Sequence, residues 1–477
     1  MFFRVLPNGE MSAGQRGLFQ IPNPKSKIRN PKSQFHYLCS MTSKKRIAFH
    51  TLGCKLNFSE TSTISRQFGI DDFEVVDFNE QADFYVVHTC SVTAVAEKKC
   101  KTAVKQAHRR NPVAQVAVIG CAVQANPEMF STMEGVSWVF GNQDKFRLGE
   151  VIKSQGSETH AYGHHEAYVS EINKTREFIP SYSIGDRTRS FFKVQDGCDY
   201  FCTYCSIPFM RGRSRSESVE NTMKVAHEIA STEIKEIILT GVNIGDFGRQ
   251  NNESFTDLLK QLANIEGIER IRISSIEPEL LNDEIIRLVS VSRKLLPHFH
   301  IPLQSGSNKI LELMKRKYQR EVFAGRVQRI KELMPDACIA ADVIVGFPGE
   351  TNEDFDDAYD FIKNLDVTYL HVFTYSERTG TKAIQMEGKV DEREKRRRSQ
   401  LLHELSEAKK KKFYISQVGK TEQVLWESDN IKGFMHGFTG NYVKVATPYN
   451  KELINQITTV KILSVNADDT CSIQFLN

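Results

Sequence analysis

Three cysteines crowd one short stretch, GCDYFCTYC at 197–205, as Cys198, Cys202 and Cys205. An odd cluster cannot close on itself in disulfides. Ten cysteines spread over 477 residues are also unlike the short, disulfide-dense scaffolds of secreted domains. With no convincing secretory signal ahead of it, the stretch is expected to present reduced thiols as metal ligands. Three thiolates in one loop hold three irons of a cubane and leave the fourth iron without a protein ligand. An electron carrier is better served by four ligands, so an open iron reads as a cofactor or substrate site. A zinc loop and a closed structural cluster are the alternatives that this spacing leaves.

The surroundings of the loop predict its scaffold. SFFKVQ, EIILTGV, IRISSI, HFHIPLQ, CIAADVIVGF and LHVFTYS are strand candidates separated by amphipathic helical stretches. Six such units predict a partial (β/α)6 TIM-like barrel over 187–412, with function at the carboxyl ends of its strands. Those ends carry the cysteine loop, Thr240-Gly-Val-Asn243, Ser274-Ser-Ile-Glu277, Gln304-Ser-Gly306, Gly346-Phe-Pro-Gly-Glu350 and Ser376-Glu-Arg378. Asn243, Glu277, Gln304 and Glu350 are the expected cofactor-pocket residues, chosen by their position on that rim. Strand-to-helix turns alone also favour Gly and Ser there.

Over 44–155 short apolar runs alternate with helix-compatible stretches, the pattern of a doubly wound parallel sheet. RIAFHTLGC ends at Cys54, ADFYVVHTC at Cys90 and QVAVIGC at Cys121. Ligands bind such sheets beyond the carboxyl ends of the strands. Any one of these cysteines reads most simply as a small buried hydrophobe. Three at one topological position, with no clustered histidine or carboxylate, point to iron–sulfur or zinc. Cys100, inside a lysine-rich helix, is expected to be structural. Residues 156–186 read as a linker. Residues 1–43 read as a disordered extension, either transit-peptide-like or lying upstream of a true start at Met41.

At the other end, 391–414 is helix-compatible, with nine Lys or Arg against five Asp or Glu. It reads equally as a solvated face and as a nucleic-acid backbone contact. Residues 413–477 hold short alternating strands, QVLWES, YVKVAT, TTVKILSV and CSIQFL, that predict a small all-β, OB-like barrel. Within it GFMHGFTGNYVKV interleaves aromatic residues with glycine and lysine. Phe438 and Tyr442 are expected to stack on unpaired bases, core packing being the other reading. Composition agrees with a folded, multidomain chain: 40% hydrophobic and 26% charged, net charge +4. It excludes disorder over most of the length, and no apolar run approaches the roughly 20 residues of a membrane span.

TLGCKLNFSET, HTCSVTA, GCAVQ, DGCDYFCTYCSIPFMRGRSRS, HIPLQSGS, MKRKY, DVIVGFPGET and FTYSERTGT, in this order, closely resemble the methylthiotransferases of the radical S-adenosylmethionine superfamily. The resemblance runs from Lys44 to the C-terminus. Gly53-Cys54-Lys55 with Asn57 and Glu60 is most similar to the MtaB type, which acts on N6-threonylcarbamoyladenosine at position 37 of tRNA. The resemblance implies a radical S-adenosylmethionine core followed by a TRAM barrel. It implies one [4Fe–4S] cluster on Cys198, Cys202 and Cys205, which cleaves S-adenosylmethionine to a 5′-deoxyadenosyl radical. It implies an auxiliary [4Fe–4S] cluster on Cys54, Cys90 and Cys121, which carries the sulfur to be transferred. The implied partners are tRNA and a reducing electron donor, in the cytoplasm and without a membrane. Lys55 and Arg211 are the expected contacts to substrate carboxylate or phosphate. His88 stands where Asn is common, and Val123 where Ala is; neither departure removes a ligand. An isopentenyladenosine tRNA, a ribosomal-protein side chain, or a non-catalytic iron–sulfur RNA-binding role are the competing readings.

Overall fold

A computed structural model describes residues 44–91, 94–155, 166–185 and 188–476. The expected N-terminal extension, 1–43, lies outside the described residues. The first sheet is built from β1 (Lys45–Thr51), β2 (Phe73–Val76), β3 (Phe84–Thr89), β4 (Gln115–Gly120), β5 (Val136–Phe140) and β6 (Glu166–Tyr168). Its order is β2-β1-β3-β4-β5-β6 and every pairing is parallel. Parallel strands are covered on both faces, which is why FYVVHT in β3 is buried along its whole length. The order reverses between β1 and β3, and that switch point is where doubly wound sheets open a ligand crevice.

The expected linker is partly structure. Its residues 166–168 form β6 of the first sheet, and β7 (Ser181–Tyr182) pairs antiparallel with the next domain. Segments of three and two residues are too short to show a period in sequence. The rest of 156–165, and residue 186, lie outside the described residues.

The central domain carries six parallel strands in chain order: β8 (Arg189–Lys193), β9 (Glu236–Thr240), β10 (Arg270–Ile273), β11 (His298–Gln304), β12 (Cys338–Val345) and β13 (Tyr369–Thr374). Continuous pairing breaks between β10 and β11, where single bridges such as Ser275–His300 carry the wall. The result is the expected open (β/α)6 barrel. Side chains such as Phe192, Ile237, Ile271, Phe299, Ala341 and Leu370 face the helices and form one continuous core. Two of those helices begin in capping boxes, Ser254 with Asp257 and Thr351 with Asp354.

A single helix, Glu392–Gln417, runs from the central domain into the last one, across the boundary expected near 413. Its basic run is divided. Arg398 and Lys395 are buried against the central domain, while Arg396, Lys411 and Lys412 stay exposed. Beyond it β14 (Thr421–Trp426), β15 (Phe434–Thr439), β16 (Lys444–Pro448), β17 (Ile457–Val465) and β18 (Cys471–Phe475) close a barrel in the order β14-β15-β16-β18-β17. Closure leaves no free sheet edge. β15 was not foreseen as a strand, because Gly437 occupies an inward position. A Cβ there would lie 2.3 Å from Val424 Cγ1, so the strand cannot show apolar alternation at that point. Among the described residues no helix is long and apolar enough to cross a membrane.

Candidate active site

Cys90 and Cys121 directly follow β3 and β4, and Cys54 comes three residues after β1 ends, so all three lie at the carboxyl ends of neighbouring strands beside the switch point. Their loops are laced together. The Asn57 amide donates to the carbonyls of Leu52 (2.8 Å) and Thr89 (3.0 Å). The Thr89 hydroxyl donates to Ile119 O (2.7 Å) and accepts from Ala122 N (3.1 Å). Gly53, at φ +108°, lies so close that a Cβ would sit 3.1 Å from Cys90 Sγ. Only Gly leaves room for the loops to approach. Cys54 is exposed, and Cys90 and Cys121 are buried. The Cys100 thiol hydrogen-bonds the Cys90 backbone, and burial pushes it up to about 11. It therefore stays protonated and supports the loop after β3. His88 is buried, with Nδ1 2.8 Å from the Thr61 hydroxyl. Burial and then Lys145 hold its pKa well below the ordinary imidazole range, so it is neutral.

The second thiol set hangs beyond β8. Gln195 anchors its base, donating to the Gly197 carbonyl (2.8 Å) and accepting from Val242 N and Asn243 N (2.9 and 2.8 Å). Thr203 pins the other side to the carbonyls of Leu313 and Met314. Arg316 donates to Cys202 Sγ (3.2 Å) and also pairs with Glu277. Burial pushes the thiols of Cys198 and Cys205 up to about 12. Left to themselves they would be neutral; a positive metal group bound there would reverse that balance and hold them as thiolates. Thiol-only donors in two threes fit iron–sulfur groups.

The two sets share an interface. Asn142 Nδ2 donates to Cys121 Sγ (3.3 Å) and to the carbonyl of Met210 (2.7 Å), on the helix Ile207–Arg211 that follows the cysteine loop. Arg378, on the rim after β13, lies within electrostatic range of Cys90. Beneath runs a buried ion network. Glu60 meets Lys145 (2.6 Å), Lys193 (3.0 Å) and Arg211 (3.1 Å). Asp196 meets Arg211 (3.0 Å) and Arg215 (3.2 Å). Four cations face two carboxylates, a surplus of two positive charges in a buried place. The surplus lies against Cys121, whose charged form favours protonated Arg211 and Lys145. An anionic thiolate–metal group held by these thiols would balance it.

The structure puts the expected residues in different settings. Asn243 is buried at the rim, and its Oδ1 has no hydrogen-bond partner. Gln304 ends β11 at φ +63°, next to the register shift at Pro302, a strained conformation for a non-glycine residue. Glu277 is engaged by Arg316, and burial pushes its carboxyl up to about 7. Glu350 is not open to a ligand: its carboxylate accepts from Gly346 N (2.6 Å) and Arg398 (2.7 Å) and shapes the loop instead. Arg211 is likewise not a free substrate contact, being 1% exposed and bound to Glu60, Asp196 and Asn57. Phe438 and Tyr442 are half-buried. They stack on each other at 4.9 Å, and Tyr442 stacks on His298 at 4.4 Å, so they join the barrel to the central domain. Phe434, 48% exposed, is the ring of that segment left to solvent. Lys55 is half-buried, and burial lowers it to about 8.

Asn142, Lys145, Asp196 and Arg316 escaped sequence reasoning. For Arg316 a signal existed, in the block MKRKY. Also unforeseen is a polar cluster inside the barrel, His300, Asp342 and His371, one from each of β11, β12 and β13. Its signal was polar residues at alternate positions of otherwise apolar strands.

Residues 192–362 match the radical SAM superfamily, and residues 46–141 match the uncharacterized protein family UPF0004. Relatives include the threonylcarbamoyladenosine tRNA methylthiotransferase MtaB of Bacillus subtilis, 40% identical over 428 residues, covering 87% of this chain and 93% of that protein. The MtaB protein of Aquifex aeolicus is 37% identical and covers 86% and 98%. A tRNA-2-methylthio-N(6)-dimethylallyladenosine synthase from Natranaerobius thermophilus is 33% identical over 86% and 93%. Among solved structures, the radical S-adenosylmethionine methyltransferase TsrM from Kitasatospora setae shares the fold at TM-score 0.51. It is 14% identical, with 69% of this chain and 73% of that chain covered. Fold and thiol sets together define a radical S-adenosylmethionine enzyme. Within that class the chain belongs to the methylthiotransferase family, MtaB type. Its cofactors are S-adenosylmethionine and two [4Fe–4S] clusters, and its closed five-stranded barrel is the TRAM-like part.

Proposed function

We propose that this protein places a methylthio group on C2 of N6-threonylcarbamoyladenosine at position 37 of tRNA. S-adenosylmethionine serves as both methyl donor and radical source. The observation that carries this reading is Asn142, one amide that touches a thiol of the first set and the helix that follows the second. That contact joins the two sets at one interface. On this reading Cys198, Cys202 and Cys205 hold the radical-generating cluster, and Cys54, Cys90 and Cys121 hold the auxiliary one. Bound there, these groups supply the radical chemistry that a non-acidic adenine C2–H demands and the sulfur that replaces the hydrogen.

The chain's own residues do the rest. Arg316 hydrogen-bonds the Cys202 sulfur and fixes Glu277 at the rim. Gln195 orients the backbone at Asn243, whose free Oδ1 and the rim around Gln304 line the cofactor pocket. Glu350 and Arg398 hold the Gly346 loop in shape from behind. The proposal includes a cytoplasmic location and a reducing electron donor.

The test is nucleoside mass spectrometry of tRNA from cells carrying Cys198→Ala or the triple alanine change at Cys54, Cys90 and Cys121. Both are expected to abolish the 2-methylthio product, each with loss of one cluster's iron after anaerobic reconstitution. Product persisting in Cys198→Ala overturns the proposal.

A further inference from the structure

Strand alternation turns His300, Asp342 and His371 away from the helices and into the barrel. Their neighbours Phe299, Ile301, Ala341, Val343 and Leu370 fill the core outside. His300 Nε2 lies 2.7 Å from Asp342 Oδ1, and the two imidazole rings are 5.0 Å apart. His371 Nε2 is buried with no partner. The Lys55 ammonium, from the N-terminal domain, lies within electrostatic range of Asp342, Glu236, His371, Arg189 and Arg272. The two arginines are already engaged, by Glu427 (2.7 Å) and Glu236 (3.1 Å). Lys55 has neither an ion pair nor a hydrogen bond among the described residues. Half-buried and without a direct ion pair, this ammonium leaves room for a negatively charged guest to contact it. The same positive field opposes a divalent cation at the two histidines and Asp342.

We propose that this interior seats the N6 substituent of the substrate base. Lys55 pairs with its carboxylate, and Asp342, His300 and His371 hydrogen-bond its hydroxyl and urea groups. This rests on the substrate reading above and adds its specificity residues. An isopentenyl group offers the cation nothing, and a site built for polar contacts rejects a partner that leaves them unmade.

The experiment measures binding to the reconstituted holoenzyme by fluorescence anisotropy. The probes are anticodon stem-loops carrying threonylcarbamoyladenosine, its methyl ester, or unmodified adenosine. The wild-type protein is expected to favour the acid over the ester by about tenfold or more. Lys55→Gln is expected to reduce that preference to about twofold or less, and Lys55→Arg to keep it. His371→Ala is expected to weaken acid and ester alike. Lys55→Arg keeps the test decisive where the Gln variant fails to fold, because loss of the preference in a folded Arg variant counts against the ion pair. A wild-type protein that does not distinguish acid from ester, or a Lys55→Gln protein with its preference unchanged, overturns the proposal. Stoichiometric zinc bound by the wild type and lost in His371→Ala overturns it too. A wild-type enzyme that modifies only isopentenyladenosine tRNA brings down the substrate reading itself, a distinguishable failure.

Discussion

Each domain junction holds one fully buried glutamate inside a collar of cations. Glu60, between the first and central domains, is held by Lys145, Lys193 and Arg211. Glu236, between the central domain and the last barrel, is held by Arg189, Arg270 and Arg272. The collars differ in what lies beyond them. Past Glu60 come Asn57, Asn142 and the thiols, with two positive charges left over. Past Glu236 come rings and carbonyls. Arg272 lies over Tyr442 and Arg189 over Phe438, while Arg270 and Arg272 donate to Phe438 O and Gly440 O (3.1 Å each). The same physical device lies beside thiols at one junction and beside aromatic rings at the other.

That contrast can be broken by experiment. Glu60→Gln strands three buried cations, a change expected to cost roughly 3–5 kcal/mol of stability. It should also lower the iron held after reconstitution. Full iron content beside a lowered Tm would make the junction merely structural and erase the contrast. Glu236→Gln should cost about 3 kcal/mol in denaturant melts while iron stays at the wild-type level. Loss of iron in that variant would also count against the distinction.

The acid limb of stability sharpens it further. The arginines hold the Glu236 carboxyl at about 2, against an ordinary 4.5. A carboxylate lowered in the folded state stabilises fully above its ordinary value. That contribution is lost as pH falls from about 4.5 toward 2, and Glu236→Gln should flatten that part of the curve. Tyr442→Ala should cost about 1–2 kcal/mol through the lost ring stack, without touching iron. Asn142→Ala is the smallest change, about 1 kcal/mol in stability. It should nonetheless speed iron release to a chelator, which a purely structural amide would not do.

Much of this was legible in the chain because it is local. Each cysteine of the first set ends an apolar run, and the second set lies within one loop, so topology alone brought them to strand ends. The six central strands were legible for the same reason. What stayed hidden joins residues far apart. Glu60 lies 133 positions from Lys193 and 151 from Arg211, and no local pattern marks such a pair. Arg211 therefore looked like a free cation beside the loop, and Phe438 and Tyr442 like free rings. In each case the concealed fact was the partner. β6 and β7 were hidden by brevity, and β15 by the glycine at its centre.

The helix Glu392–Gln417 gives the molecule a measure of length. Its 26 residues extend about 39 Å, and Ser406 clamps it to the backbone of Leu370 in both directions. The helix thereby sets the interval between the last barrel and the central strands. Any partner touching both the barrel and the central strand ends would have to span that one interval.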